Sequence, residues 1–279
     1  MKLIFVRHAE PDYSIDGLTD KGKREARCLL ERTKHWKVDQ FYASPLGRAQ
    51  QTAAPTLEYF GIPLTCCFPD IPEDRIQEPD SNRCIVYPWL REVHAPFDEA
   101  HRHEGKLVSW DFLPRDLNQH PEMYEPNQWR ESSLLHHCDF VNQADWIYKG
   151  IDGLLARHGL HRDGMFYRTS HKAPSNAYMK YNGTTLECMK EAQADEPVIV
   201  IFCHLGVMMT MMSHLLNVSP HSLLQGLFVP PASVTVLMAE EREAGYVLFR
   251  AQVIGDTSHL TAAGEPVSFY GGFDQPFQG

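Results

Sequence analysis

Short apolar runs separated by polar turns mark the chain from its first residues. Leu3-Ile4-Phe5-Val6 is an unbroken run of strand-forming side chains, which predicts a strand buried on both faces. The stretch from Ala9 to Asp16 is polar, with Pro11 inside it and Gly17 after it, and reads as a loop. Thr19 then has the chemistry of an N-cap for a helix over roughly 20–36, in which Ala26, Leu29, Leu30 and Thr33 form the less polar face. Phe41-Tyr42-Ala43 predicts a second strand. Ser44-Pro45 ends it and opens a helix running to about Phe60, which Gly61 stops. Pro55 within that helix is expected to kink or restart it, because it lacks an N–H.

The middle of the chain is less periodic. Pro69, Pro72, Pro79 and scattered charges make 66–87 an expected extended loop. Residues 94–137 carry six histidines and the aromatics Trp110, Phe112, Tyr124 and Trp129 without a clear period. They read as an insertion with short helices whose aromatics line a pocket or form a small core. Regularity returns with Phe140, Ala144, Ile147, Tyr148, Ile151, Leu154 and Leu155, an amphipathic helix ending near Gly159. Met165 to Arg168 predicts a strand, and Val198 to Cys203 is the strongest buried-strand signal. A Met-rich helix over about 207–216 follows, with Met208, Met209, Met211 and Met212 expected in the core. Residues 233–239 and 246–254 alternate around a polar turn and predict a hairpin. The tail from Gly264 reads as irregular.

Strands alternating with helices imply an α/β fold, a three-layer α/β/α sandwich around a mostly parallel sheet. With no repeat and no linker, residues 1–279 read as one domain carrying insertions at about 66–87 and 94–137. A formal net charge of -10 argues against nucleic acid or an anionic membrane as partner, and no apolar run has membrane-spanning length. The apolar run at the N-terminus is too short for a signal peptide. Cys28, Cys66, Cys67, Cys84, Cys138, Cys188 and Cys203 are odd in number and contain no Cys-x-x-Cys pair, so free thiols in a cytoplasmic setting are expected. His94, His101, His103, His136 and His137 lack the spacing of a closed zinc site, and no metal or cofactor is expected.

The chemistry is carried by two features of one form: a buried strand ends and a histidine follows at once, in Val6-Arg7-His8 and in Phe202-Cys203-His204. In open parallel sheets ligands bind beyond the carboxyl ends of the strands, so both histidines are expected to face a site there. Arg48 lies one turn into the helix after Ser44-Pro45, and Glu92 follows Trp89-Leu90. A neutral imidazole can attack phosphorus, guanidinium forks can hold the phosphoryl oxygens, and a protonated carboxyl can supply the leaving oxygen with a proton.

These segments resemble the histidine phosphatase (phosphoglycerate mutase-like) superfamily. Arg7-His8-Ala9-Glu10 resembles its Arg-His-Gly-Glu signature, and Leu18-Thr19-Asp20-Lys21-Gly22 the opening of its first helix. The run from Tyr42 to Thr52 is similar to its second motif. Leu90-Arg91-Glu92 is similar to its acid-bearing segment, Cys203-His204-Leu205-Gly206 to its second-histidine segment, and Gly255 to Leu260 to a near-terminal stretch. The resemblance implies that His8 is the phosphorylated nucleophile and Glu92 the proton donor. Arg7, Arg48 and His204 would bind phosphate, helped by backbone amides near Gly206, with Thr19 and His94 as further substrate contacts. It implies a histidine acid phosphatase-type phosphoric monoester hydrolase acting on a small phosphorylated molecule, releasing inorganic phosphate. Ala9 stands where the family has glycine, which is tolerable if the residue keeps φ < 0. The competing readings are a cofactor-dependent phosphoglycerate mutase and a non-catalytic phospho-ligand binding module. The mutases carry Glu-Arg-His-Tyr-Gly where this chain has Glu92-Val93-His94-Ala95-Pro96, which favours the phosphatase.

Overall fold

Strand β1 (Lys2–Arg7) holds the centre of the sheet because its side chains are apolar on both faces. In the computed structural model, which describes residues 1–63, 81–97, 108–169, 196–243 and 245–269, Leu3 and Phe5 pack into one core and Ile4 and Val6 into another. Helices α1 (Asp20–Thr33) and α2 (Gly47–Tyr59) cover the Ile4 face through Leu29, Ala53 and Leu57. Helices α4 (Phe140–Arg157) and α5 (Leu205–Leu216) cover the Leu3 face, with Ile147, Ile151 and the four methionines of α5 buried there. The result is the expected three-layer sandwich.

The sheet runs β5 (Cys84–Val86), β4 (Gln40–Ala43), β8 (Val198–Cys203), β1, β9 (Val234–Glu243), β10 (Tyr246–Asp256), β7 (Phe166–Thr169) and β6 (Leu160–Asp163). The first four strands are parallel, and each later strand is antiparallel to its neighbour. Six strands therefore point one way, and β9 and β7 the other. The expected hairpin is β9–β10, each strand running past its expected C-terminal end. Two minor strands, β2 (Pro11–Asp12) and β3 (Gly17–Leu18), close the loop after β1.

Several elements depart from the sequence expectations. Residues 84–86, placed in a loop, form edge strand β5, because pairing with Phe41, Tyr42 and Ala43 supplies order that three residues cannot signal alone. The remainder of that segment up to residue 80, with Cys66 and Cys67, lies outside the described residues, as do His101, His103 and Cys188. Pro55 neither stops nor restarts α2, since Ala53, Thr56 and Leu57 stay buried and outweigh the lost hydrogen bond. Strand β6 was not foreseen, because its residues 161–163 are polar and sit at the sheet edge. Among the described residues no helix is long and apolar enough to cross a membrane.

The described part of the 94–137 insertion does contain short helical pieces, including α3 (Pro114–Gln119) and three 3-10 turns. Its Phe112, Met123 and Trp129 join the main core instead of a separate one. Helix α6 (Pro220–Gly226) anchors it. Ser219 donates to the Met123 carbonyl, and His221 Nε2 meets the Ser109 carbonyl at 3.2 Å. Trp89 rests on α4 at Gly150, where an added Cβ would lie 2.3 Å from the indole.

Gly150→Ala should therefore destabilise the protein by about 1–3 kcal/mol or more in urea unfolding. Gly153→Ala, one turn on and facing open space, should stabilise it by about 0.5–1 kcal/mol. Equal effects would contradict the Trp89 packing.

Candidate active site

The register of two strands brings the two histidines together. Arg7 pairs with Cys203 across β1 and β8, so His8 and His204 leave the same end of the sheet side by side. The His8 N–H donates to the Cys203 carbonyl at 2.9 Å, and the imidazole centroids lie 5.0 Å apart. Ser44, at the end of β4, donates its own N–H to Phe202 at 2.9 Å. Three parallel strands thus deliver His8, His204 and Ser44 to one place, where ligands bind in open α/β sheets.

His8 is almost fully buried, and its Nδ1 lies 2.8 Å from the Ala9 carbonyl. A carbonyl only accepts, so Nδ1 carries the proton and Nε2 keeps its lone pair. Burial, reinforced by the cations of Arg7 and Arg48, pushes His8 down to about 3. The ring is therefore neutral near pH 7, as a nucleophile must be. His204 is held well below its ordinary value by burial and by His8, Arg48 and Arg7. Its Nε2 meets Ser44 Oγ at 2.7 Å, and Ser44 Oγ also accepts from the Leu46 N–H at 3.2 Å. With one proton and two lone pairs, the Ser44 hydroxyl can serve either tautomer of His204.

Both arginines are anchored and buried. Arg7 donates from Nη1 to the Val229 carbonyl at 2.5 Å. Arg48 donates from Nη1 to Asp16 Oδ1 at 2.5 Å. Arg48 Nε and His204 Nδ1 are buried and have no hydrogen-bond partner among the described residues. A buried donor without an acceptor is costly, and the Arg48 guanidinium beside a neutral imidazole fits an anion.

Glu92 sits against the N-terminus of α5. Its Oε1 accepts from Val93 at 2.9 Å and from Val207 at 3.0 Å. A Cβ at Gly206 would lie 2.7 Å from that oxygen, so glycine is what lets the carboxyl approach. Burial raises its pKa, against the backbone N–H groups of Gly206, Val207 and Val93 and the charge of Arg7. The amides near Gly206, expected on phosphate, are given to Glu92 in this arrangement, because a helix N-terminus accepts whichever carboxylate lies nearest.

The other expected contacts are placed differently. Thr19 is the N-cap of α1, as its sequence position indicated. Its hydroxyl accepts from Gly22 N at 3.0 Å and donates to Glu10 at 2.9 Å, so it is committed to the cap. His94 is exposed, and Gln143 holds its backbone on α4. Ala9 is fully buried and is not among the residues with positive φ, so its methyl group fits.

Several supports escaped the sequence reading. Thr52 accepts from Ala9 N at 2.9 Å and donates to the Arg48 carbonyl at 2.8 Å, tying the two arginine-bearing segments together. Buried Glu25 accepts from Glu10 N at 2.7 Å, and burial raises it to about 7. The turn at 229–233 cradles β1: Ala232 N donates to the His8 carbonyl at 3.1 Å, from a φ of 59° that costs a non-glycine residue energy. Only the Pro230-Pro231 pair hinted at this turn. Among the described residues no group of three or more His, Cys, Asp or Glu side chains could hold a metal ion.

Residues 3–70 match the model of the histidine phosphatase superfamily (branch 1). Phosphoserine phosphatase 1 of Hydrogenobacter thermophilus is 34% identical over 89 residues, which are 29% of this chain and 39% of that protein. The match thus spans well under half of that relative. Among solved structures, mycobacterial glucosyl-3-phosphoglycerate phosphatase in complex with inorganic phosphate superposes with a TM-score of 0.52 at 18% identity, covering 92% of this chain and 98% of the other. A mycobacterial hydrolase gives 0.51 at 17%, covering 94% and 96%. These two likenesses are likenesses of fold.

Four buried histidines set the acid limit of stability. His8 is lowered to about 3, His221 and His259 to about 4, and His204 also lies below its ordinary value. Below about 6.5 the unfolded chain takes up protons that the folded one refuses, so stability falls as pH drops, by up to ~1.4 kcal/mol per pH unit for each histidine. Glu25, raised to about 7, and Glu92, also raised by burial, work the other way, but they are two groups against four. The urea midpoint should be lower at pH 5 than at pH 7. An equal or higher midpoint at pH 5 would contradict the neutral, buried imidazoles.

Proposed function

We propose that this chain is a member of the histidine phosphatase superfamily, whose model matches residues 3–70, and that it hydrolyses small phosphomonoesters through a phosphohistidine intermediate on His8. The observation that carries the reading is a buried donor with no acceptor among the described residues, Arg48 Nε, whose cation is felt at the neutral His8 imidazole. A phosphoryl group supplies the acceptor it lacks. Arg7 adds a buried cation whose charge is felt at His8.

In the first step His8 Nε2 attacks phosphorus and the bond to the ester oxygen breaks. Glu92, whose protonated form burial favours, gives its proton to that oxygen. In the second step water attacks the phosphohistidine, Glu92 takes a proton from the water, and His8 returns to its neutral form. Arg7, Arg48 and His204 hold the phosphoryl oxygens while charge shifts between the attacking and leaving atoms. No step calls on a metal. The substrate is a small phosphorylated metabolite, of the kind named for the phosphoserine and glucosyl-3-phosphoglycerate phosphatases. Free thiols at Cys28, Cys84, Cys138 and Cys203 suit a reducing, cytoplasmic setting.

His8→Ala should lower turnover of p-nitrophenyl phosphate by at least about 10³-fold while the far- and near-ultraviolet circular dichroism stay unchanged. Undiminished turnover would sink the nucleophile assignment. Glu92→Gln should cost about 10²- to 10⁴-fold with an alkyl phosphate, whose leaving oxygen needs a proton, and clearly less with p-nitrophenyl phosphate. Equal losses would remove Glu92 from the acid role. Isomerisation of 3-phosphoglycerate that depends on 2,3-bisphosphoglycerate and outruns phosphate release would make the enzyme a mutase.

A further inference from the structure

We propose that Asp16 is the resident counter-ion of Arg48, a positioning residue that aims the guanidinium at the phosphoryl group and weakens the hold on the phosphate product. The inference rests on the reading of Arg48 as a phosphate ligand. Asp16 lies in the loop after His8, and both of its carboxylate oxygens are used on one helix: Oδ1 takes Arg48 Nη1 at 2.5 Å, and Oδ2 takes the Gly47 N–H at 2.8 Å. Gly47 is the first residue of α2, whose own N-cap, Leu46, has no side-chain acceptor to offer. A carboxylate from a distant loop therefore caps this helix.

The loop is built for that contact. Asp16 takes a φ of 45°, and a Cβ at Gly47 would lie 2.2 Å from the Asp16 carbonyl oxygen, so the helix admits the loop only through glycine. Gln51, one turn further along α2, accepts from Leu18 N at 2.9 Å and pins the far end of the loop. Tyr13 lays its ring against the Arg48 guanidinium, 5.1 Å from centroid to Cζ. The loop thus holds Arg48 at its Nη1 end and along one face, and leaves Nε buried without a partner among the described residues. A guanidinium held at one Nη presents its other edge ready formed for two phosphoryl oxygens, and ordering it beforehand removes an entropic cost from binding.

The same contact has an opposing effect. The Asp16 side chain is 43% exposed and carries its negative charge next to the place where a phosphate dianion would rest on Arg48. It offsets part of the attraction of Arg48 for that dianion, for product as for substrate. Releasing phosphate is as necessary to turnover as binding the ester, so a site lined by buried cations gains from an internal competitor.

The test is a calorimetric titration of inorganic phosphate into the wild-type protein, D16N and D16A, with urea unfolding of each. Asparagine keeps its amide oxygen for the Gly47 N–H but turns an NH2 towards Arg48 Nη1, so the charge and that hydrogen bond are lost while the cap stays. D16N should keep more of the wild-type stability than D16A and bind phosphate about tenfold tighter. Its KM for p-nitrophenyl phosphate should fall in parallel, and kcat should fall as well because the guanidinium is less firmly held. D16A, which loses the cap too, should unfold at lower urea. Phosphate affinity in D16N that is unchanged or weaker than wild type would make Asp16 a structural cap only and overturn the inference. Failure of the wild-type protein to bind phosphate would instead overturn the functional reading beneath it.

Discussion

Two imidazoles and two guanidiniums have to be kept dry at one end of a parallel sheet, and the register between β1 and β8 makes this possible. Arg7 opposite Cys203 places His8 next to His204 without any contribution from the loops. Both strands are apolar on both faces, so a slip by one residue would turn Ile4 and Val6 to the wrong core and is strongly disfavoured. The catalytic geometry is thus inherited from hydrophobic pairing in the middle of the molecule. The loops refine it: the turn at 229–233 holds the His8 and Arg7 backbones, and Thr52 and Asp16 fasten the second arginine-bearing helix to the segment after β1.

The arrangement is costly to the folded state and useful to the chemistry for the same reason. Burial strips water from cations and imidazoles and leaves a donor without an acceptor, which costs roughly 1–3 kcal/mol when unsatisfied. The same dry surroundings keep His8 neutral and raise Glu92. Shifts of opposite sense in charge terms have one physical origin, since burial penalises the ionised form of either group. On the proposed reading, an arriving phosphoryl dianion relieves the penalty by supplying acceptors and negative charge.

The residues proposed to carry chemistry were legible because each sits where an element ends or begins. His8 and His204 follow uninterrupted apolar runs, Arg48 follows a Ser-Pro helix start, and Glu92 follows Trp89-Leu90. Their order along the chain raised five separately weak signals into a strong one. What could not be read was set by contacts between distant segments. Asp16 meets Arg48 across 32 positions, Val229 meets Arg7 across 222, and β5 owes its order to β4. Edge strand β6 is polar because only its backbone is needed. Thr19 shows a related limit: its sequence neighbourhood fits a helix cap and a substrate contact equally well, and only the bonds to Gly22 and Glu10 separate them.

The central claim is that a neutral His8 takes the phosphoryl group on Nε2, and the most direct measurement is of that adduct. Protein mixed with a ³²P-labelled phosphomonoester and quenched in alkali within milliseconds should retain label that is stable to base and lost in mild acid. Phosphorus NMR should place it on Nε2 of His8, and His8→Ala should retain none. Turnover without retained label at any quench time, or an acid-stable adduct on another residue, would contradict the account.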